Sequence, residues 1–279
     1  MGYVTRHTAR DAELPRRREE LLTKALDDLT GDPDVLAIYL GGSLAKGNYD
    51  TYSDIDLHTI VDPGKRDSFI RQKRVRPKNW GKVLYFEDAS AASPVVVVHY
   101  DCFVKMDTWY QTPSELVSSI WMKGLKALYD PHGLVNDVLE KSAQIEYIPT
   151  AEDVEQWRGK VFAYVHETYR SVMRGELYYA ISYLDKFRWM MARGWYMEKD
   201  RWADSAWGVW SKLEGERSGL TDWQKELLAA WDCSRSPEQI MKTTASIVPE
   251  FMRLHKSLCV NTGLDVRQEW CAKMFEMAL

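Results

Sequence analysis

The sequence is poor in the features that mark secreted, membrane-spanning or disulfide-stabilised proteins. Cysteine occurs four times in 279 residues. Cys102, Cys233, Cys259 and Cys271 show no CxxC spacing, so neither a zinc site nor a disulfide framework is predicted. No apolar run approaches the roughly 18 residues that span a bilayer, and the N-terminus lacks the apolar core of a secretory signal. We therefore expect a cytoplasmic protein with reduced thiols and no membrane partner.

The sequence also lacks a basic excess, with 37 Lys and Arg against 41 Asp and Glu and a formal charge of −4. Proteins that bind nucleic acid usually carry clustered basic residues, so no nucleic-acid partner is expected. The hydrophobic content of 45% and the charged content of 28% are those of ordinary globular proteins. A chain of this length can form one large domain or two of common size.

Helical and strand patterns share the first half of the chain, whereas helical patterns alone fill the second. Leu21, Leu22, Ala25 and Leu29 recur at helical spacing. Apolar or β-branched runs predict strands within 34–42, 54–62, 82–88 and 94–111. A Thr-Pro-Ser-Glu helix start is predicted for the segment 112–130.

These patterns predict the α+β class in two domains. Residues 1–148 are expected to form a sheet flanked by helices, and residues 149–279 an all-helical domain that contributes to a substrate cleft. Most of the tryptophans lie after residue 150, including Trp207. We expect most of them to anchor helix packing and one or two to wall a pocket.

The segment YLGGSLAKGNYDTYSDIDLHTIV, residues 39–61, has the most informative pattern. Asp54 and Asp56 point the same way because side chains alternate along a strand. Two adjacent carboxylates repel each other unless a cation lies between them, and oxygen ligands of this kind suit Mg²⁺. Glycines 41 and 42 leave room for a phosphate group, which backbone N–H groups and the Ser43 hydroxyl could hold.

This ordered combination resembles the DNA polymerase β-like nucleotidyltransferase superfamily. Its signature, G-[GS]-x(9–13)-D-x-[DE], is matched by Gly42-Ser43, Asp54 and Asp56. The fuller GGSLAKGNYDTYSDIDL is similar to the bacterial aminoglycoside and lincosamide nucleotidyltransferases. The resemblance covers about the first third of the chain.

The resemblance implies two Mg²⁺ ions as cofactors and ATP or another nucleoside triphosphate as substrate. A nucleoside monophosphate would be transferred to a hydroxyl of a small molecule such as an aminoglycoside-like antibiotic. We expect that monophosphate to be AMP. Antibiotic resistance would be the phenotype. A homodimer is compatible with the resemblance, because some relatives share a cleft between protomers.

The superfamily also needs a third carboxylate on a later strand, and two candidates exist. Asp101 and Asp107 are an even number of residues apart, so alternation cannot separate them on a continuous strand. Asp107 is preferred because KMDTWYQTPSEL looks like the corresponding stretch of related enzymes. Asp54, Asp56 and Asp107 are thus the predicted metal ligands and catalytic residues. Asp101 stays a candidate for the cleft.

Lysines and polar residues elsewhere are predicted to complete the site. Lys46 and Lys105 could contact phosphates. The helix RGELYYAISYLDKFRWMM, residues 174–191, resembles the hairpin that faces the cleft in these enzymes. On it and the preceding helix, the predicted cleft residues are Glu167, Glu176, Tyr183 and Lys186, with Lys186 binding nucleotide or acceptor. The alternative for each of them is an amphipathic helix with solvated polar residues.

Two further questions stay open on the sequence. His58 points to the same side as Asp54 and Asp56, and is either a ligand or a hydrogen-bonded histidine at a strand end. The acceptor could also be a protein or an RNA end, and the same fold could serve as a non-catalytic, antitoxin-like interaction module.

Overall fold

The computed structural model describes Tyr3, residues 5–205 and residues 208–279. Two compact units are divided between Ile145 and Glu146. Among the described residues, no helix combines the length and apolar character that crossing a membrane requires.

The first unit is built on a six-stranded sheet with the order β3-β4-β5-β2-β1-β6. The strands are β1 (Val35–Leu40), β2 (Ile55–Val61), β3 (Val83–Glu87), β4 (Val95–Tyr100), β5 (Lys105–Gln111) and β6 (Lys126–Tyr129). The β2–β5 pair is parallel, and the other pairs are antiparallel. The sheet is therefore mixed, and β2 and β5 are neighbours at its centre.

Helices cover the sheet and leave a polar strip of one face near β2 and β5. They are α1 (Thr8–Thr30), α2 (Gly42–Lys46), α3 (Arg66–Gln72) and α4 (Leu134–Ala143). The apolar stripe of α1 is buried with the inward residues of the central strands, such as Leu57 and Met106. On the other face of those strands, alternate residues such as Asp56 and Asp107 are only partly buried. Alternation along β2 and β5 thus separates the core from the polar strip.

The predicted helix over 112–130 is wrong. The N-cap pattern is present, since Thr112 and Glu115 form a capping box. It starts a single 3₁₀ turn, Pro113–Glu115, and the end of the segment pairs as strand β6 with β1. Pairing with an exposed strand edge satisfies the backbone more completely than a helix start alone can, so tertiary contact overrides the local signal.

The second unit is helical, as predicted. Its helices are α5 (Ala151–Met173), α6 (Leu177–Met197), α7 (Asp222–Ala230), α8 (Pro237–Thr262) and α9 (Gln268–Glu276). Thr150 accepts a hydrogen bond from Asp153 N at the start of α5, and Gly263 ends α8 in the left-handed conformation. These caps satisfy backbone groups that a helix end leaves unpaired.

Tryptophans anchor the core of the second unit. Trp157, Trp189, Trp195 and Trp231 are buried in one hydrophobic cluster, and Trp157 Nε1 donates a hydrogen bond to the Met190 carbonyl at 2.7 Å. This is the packing role predicted for most of them. Trp207 lies outside the described residues.

Candidate active site

Three carboxylates lie together on the polar strip. Asp56 on β2 is the register partner of Asp107 on β5, and Asp54 lies on the same side because side chains alternate. One oxygen of each carboxylate lies within 4.8 Å of the other two, and all three residues are partly buried. We call these three residues the acidic cluster. Parallel pairing of β2 with β5 assembles it from distant parts of the sequence.

Lys105 lies between two members of the acidic cluster. Its Nζ is 2.7 Å from Asp54 Oδ2 and 3.1 Å from Asp107 Oδ1. Burial lowers the pKa of Lys105, but the hydrogen bond to Asp54 and the charges of Asp107 and Asp54 outweigh it and raise that pKa above its usual value. Lys105 is therefore charged at neutral pH and relieves part of the repulsion among the carboxylates.

The Asp107 side chain is more buried than that of Asp54, with exposures of 19% and 33%. Burial raises the pKa of Asp107, Lys105 opposes that rise, and the charges of Asp54 and Glu87 add to it, so the pKa lies above its usual value. Asp107 Oδ1 is buried and accepts no hydrogen bond, because Lys105 Nζ lies near it outside hydrogen-bonding geometry. A buried carboxylate oxygen in this condition is costly, so it is suited to a ligand.

Gly41 and Gly42, which we call the glycine segment, lie directly against Asp56. Gly41 N donates to Asp56 O at 2.8 Å, and Gly42 has a left-handed φ of +56°. A Cβ at Gly42 would lie 2.8 Å from Asp56 Cγ and closer still to Oδ2. Both the backbone conformation and the close approach therefore require glycine. Ser43 follows and is buried, and Lys46 ends α2.

The acidic cluster fits a divalent cation with oxygen ligands. Three carboxylate oxygens already converge, and Asp107 Oδ1 has no hydrogen-bond donor. Mg²⁺ prefers such oxygen ligands and is commonly held by one or two carboxylates together with substrate phosphates. Asp54, Asp56 and Asp107 are the residues that would hold it, and Lys105 would have to release one of them.

His58 belongs to a stacked row of rings beside the cluster. Its ring stacks on Tyr39 at 4.5 Å and on Trp109 at 5.3 Å between centroids, and its Nδ1 donates to Gln111 Oε1 at 3.1 Å. Burial lowers the pKa of His58 to about 4, although the hydrogen bond to Gln111 acts against this. The structure thus favours the hydrogen-bonded histidine of the two interpretations.

Asp101 lies outside the acidic cluster. The strand predicted over 94–111 is interrupted, since β4 ends at Tyr100 and β5 begins at Lys105. Asp101 is in the connecting turn, where its carboxylate is 3.5 Å from Lys82 Nζ. The structure therefore brings Asp107, and not Asp101, to Asp54 and Asp56. The preference for Asp107 over Asp101 as the third carboxylate agrees with this arrangement.

Two of the residues predicted on the second unit lie in contact on α6. Tyr183 Oη and Tyr179 Oη are 2.6 Å apart, and Lys186 Nζ lies 4.8 Å from the Tyr183 ring centroid, a cation–π contact. The hydrogen bond to Tyr179 and partial burial raise the pKa of Tyr183 to about 12. Tyr183 and Lys186 thus form one polar and aromatic surface.

Glu167 and Glu176 lie in separate ion pairs. Glu167 pairs with Arg170 one turn along α5. Glu176 occupies the N-cap position of α6 without a capping hydrogen bond from its side chain, is 50% exposed and lies 3.9 Å from Arg174. Their roles toward a substrate stay predictions.

Sequence reasoning missed how far the row of polar side chains extends. His99 on β4 is the register partner of Lys105, and Tyr85 on β3 is the register partner of His99. The alternation of each strand shows which side its residues take, but strand neighbours and register are not local properties. The sequence pattern therefore indicated neither the ion pairs of Lys105 nor the position of Tyr85 in this row.

The comparisons with known proteins agree with this geometry in the first unit. Residues 19–126 match the family model described as a nucleotidyltransferase domain. That segment contains the glycine segment and the whole acidic cluster. The first unit thus contains a nucleotidyltransferase domain, and the predicted class of enzyme, a nucleotidyltransferase, is confirmed at that level.

The other comparisons are weaker. No curated protein matches the chain significantly. Among solved structures, an aminoglycoside 6-adenyltransferase from Bacillus subtilis is similar over 94% of this chain and 97% of its own, with 14% identity and a TM-score of 0.42. A nucleotidyltransferase-like protein from Exiguobacterium sibiricum is similar over 87% of this chain and 77% of its own, with 13% identity and a TM-score of 0.40. At these values the two structures carry no argument about substrate.

Proposed function

We propose that this chain transfers AMP from ATP to a hydroxyl of a small molecule, with Mg²⁺ as cofactor and aminoglycoside-like antibiotics as the acceptor class. The observation that supports this most strongly is the contact between the glycine segment and the acidic cluster inside a nucleotidyltransferase domain. A phosphate binding beside Gly42 would lie next to Asp56, where a cation held by the carboxylates could reach it.

The side chains of the first unit have separate roles in this proposal. The acidic cluster would hold two Mg²⁺ ions, which would supply charge neutralisation for the triphosphate. Asp54 and Asp56 provide ligand oxygens, and the glycine segment with Ser43 holds the β- and γ-phosphates. Asp107 accepts or orients the proton of the acceptor hydroxyl, which its raised pKa and its Oδ1 without a donor both support.

The roles that the resemblance implies for residues of α5 and α6 are proposed as well. Lys186 is proposed to bind a phosphate, and Tyr183 to contact the ring of a substrate. Glu167 and Glu176 add carboxylates that suit the amino groups of a cationic acceptor.

The test is AMP transfer from labelled ATP, with Mg²⁺, to a panel of aminoglycosides and lincosamides. Asp54→Asn is compared with Asp101→Asn, a matched control that removes a carboxylate outside the acidic cluster. We expect label on one class of acceptor, lost in Asp54→Asn and retained in Asp101→Asn. Expression in susceptible cells then checks whether that acceptor loses its antibiotic effect.

The other outcomes are equally informative. Tight Mg²⁺-dependent ATP binding without transfer to the panel would support the nucleotide site and indicate that the acceptor is a protein or an RNA. Absence of ATP binding would refute the interpretation of the glycine segment and the acidic cluster as one site.

A further inference from the structure

A pocket of about 340 Å³ opens beside the acidic cluster within the first unit. Its lining includes Leu84, Tyr85, His99, Phe103, Asp54 and Lys105. Asp54 and Lys105 thus belong to the pocket and to the ion-paired cluster at once. A ligand seated there lies next to the carboxylates, and the volume is that of a small ligand site.

Strand register explains why the pocket adjoins the cluster. Tyr85, His99 and Lys105 are successive register partners across β3, β4 and β5. The next row on the same face contains Val97, Asp107 and Asp56. Residues paired in this way place their side chains on one face of the sheet. The pocket is therefore the continuation of the polar strip toward β3.

The geometry of phosphoryl transfer indicates the side of the polar strip from which the acceptor approaches. Attacking and leaving oxygens lie roughly in line on opposite sides of the transferred phosphorus. The glycine segment, which would hold the leaving pyrophosphate, follows β1, on the β1 side of β2. The pocket takes Tyr85, His99 and Lys105 from the β3–β4 side of the acidic cluster, and its remaining lining includes Leu14 of α1 and residues 51–54 before β2. An acceptor hydroxyl that attacks in line must enter from that side.

The lining of the pocket is aromatic and unusually exposed. Leu84, Tyr85 and Phe103 are 60%, 54% and 59% exposed. The rings of Tyr85 and His99 stack at 4.1 Å with an interplanar angle of 12°, which presents a flat surface. Large apolar side chains gathered in an exposed patch indicate a binding site, and flat aromatic surfaces suit a ring that stacks on them.

Phe103 has a backbone conformation that does not suit its side chain. It adopts φ +68° in the turn between β4 and β5, and a bulky residue in the left-handed region is a genuine outlier. Its ring carries the Arg10 guanidinium 3.8 Å above the centroid. Strained backbone conformations of this kind cluster at functional sites. The conformation of Phe103 is therefore a second observation, separate from the pocket's position, that supports ligand binding here.

The polar groups of the pocket already have partners. Lys105 pairs with Asp54 at 2.7 Å, and His99 Nε2 lies 2.5 Å from Glu87 Oε1. The pocket itself therefore offers an apolar flat surface with polar groups at its inner edge. The ligand that matches it is a six-membered ring with an apolar face and a hydroxyl at its edge.

We infer that this pocket is the acceptor subsite and that it binds the ring whose hydroxyl is nucleotidylated, with the ring stacked on Tyr85 and its hydroxyl directed toward Asp107. The inference rests on the proposed function for its direction of attack. It adds the location of the acceptor and the chemical class of the group that enters. Sugars, aminocyclitols and phenols share this chemistry.

The experiment measures ring binding separately from catalysis. Saturation-transfer NMR on the full chain uses three probes, namely methyl α-D-glucopyranoside, 2-deoxystreptamine and 4-hydroxybenzyl alcohol, which distinguish a neutral sugar, an aminocyclitol and a phenol. Tyr85→Ala removes the stacking surface. Phe103→Gly removes the second ring while relieving the left-handed strain, so it should fold at least as well as the wild type.

We expect one probe class to bind the wild type and to bind about fivefold more weakly or worse in both variants, because a lost aromatic contact has about that effect. Trp121→Ala, which removes a 48% exposed aromatic outside the pocket, should leave binding unchanged. Affinity for Mg²⁺·ATP should be unchanged in every variant.

Several results would overturn the inference. No probe binding to the wild type, or equal binding in the wild type and Tyr85→Ala, removes the pocket as a ring site. Weaker Mg²⁺·ATP binding in Tyr85→Ala would assign the pocket to the nucleotide base instead. Ring binding in a chain that does not bind Mg²⁺·ATP would refute the proposed function while retaining the pocket as a ring site.

Discussion

The contact between Gly42 and Asp56 leads to a prediction that can be worked out from the structure. Gly42→Ala places a Cβ 2.8 Å from Asp56 Cγ, whereas non-bonded carbon atoms normally approach to about 3.5–4 Å. The carboxylate or the glycine segment must therefore retreat by about 1 Å. The same substitution also puts a side chain on a residue with a left-handed φ of +56°.

The two costs can be separated with a matched control. Gly47 also has a left-handed φ, of +73°, but a Cβ there has nothing within 4 Å. Gly47→Ala should therefore show the backbone cost alone, about 1–2 kcal/mol of stability. Gly42→Ala should show a similar loss of stability and, in addition, a displaced metal ligand.

The displacement should appear mainly in activity. A misplacement of about 1 Å in a catalytic arrangement can reduce the rate about 100-fold, which corresponds to about 2.7 kcal/mol in the barrier. We expect Gly42→Ala to lower kcat/KM for AMP transfer by about that factor and to weaken Mg²⁺·ATP binding. Gly47→Ala should remain close to the wild type in both.

Steady-state transfer with labelled ATP, calorimetric titration of Mg²⁺·ATP and thermal unfolding measure the three quantities on the same preparations. The reasoning fails if Gly42→Ala retains activity within about threefold of Gly47→Ala, since the close approach would then have no function. It also fails if both variants lose activity equally, because general strain would then explain the loss.

Three further predictions concern charge and burial. Lys105→Met should destabilise the metal-free first unit but tighten Mg²⁺ binding about fivefold, because a partly exposed ion pair contributes about 1 kcal/mol. Isothermal titration with Mg²⁺ measures this change in affinity. Weaker Mg²⁺ binding in the variant would show that Lys105 positions the ligands instead. His255 is fully buried, and burial, with the charge of Arg158, lowers its pKa to about 4 while Glu155 acts in the opposite direction. Because the unfolded chain takes up the proton first, the second unit should lose up to about 3 kcal/mol as the pH falls from 6.5 to 4; urea unfolding of the wild type and His255→Gln should show this loss in the wild type alone, and parallel profiles would contradict it. Cys259 and Cys271 are buried, and burial raises the pKa of Cys271 to about 11; we therefore expect Ellman's reagent to modify Cys102 and Cys233 in the native protein and the other two after denaturation, and rapid reaction of all four would refute the burial.

The residues of the candidate site could be predicted largely from one short segment. Gly42, Asp54 and Asp56 lie within residues 39–61, where an apolar strand, a glycine pair and a strand with alternating aspartates follow one another. These signals are local, because alternation along a strand and the backbone freedom of glycine depend on adjacent residues. The long helices of the second unit were predicted for the same reason, since their caps and periodicity are local as well.

The choice of neighbouring strands and their register depends on long-range packing. Asp107 joins Asp56 because β5 pairs with β2 in parallel, while Asp101 falls in the preceding turn. The same pairing places Lys105 beside Asp54 and continues the row to His99 and Tyr85.

The segment after Thr112 also shows that local sequence signals do not determine strand pairing. Its helix-start signal was correct as local chemistry, and the capping box forms. Its later residues nevertheless form β6, because the edge of β1 provides backbone hydrogen-bond partners that the local helix-start signal does not include. Local sequence patterns fix which side chains are available for the chemistry and which face of a strand each occupies. Long-range strand pairing, whose register no short window of sequence contains, determined which of them meet.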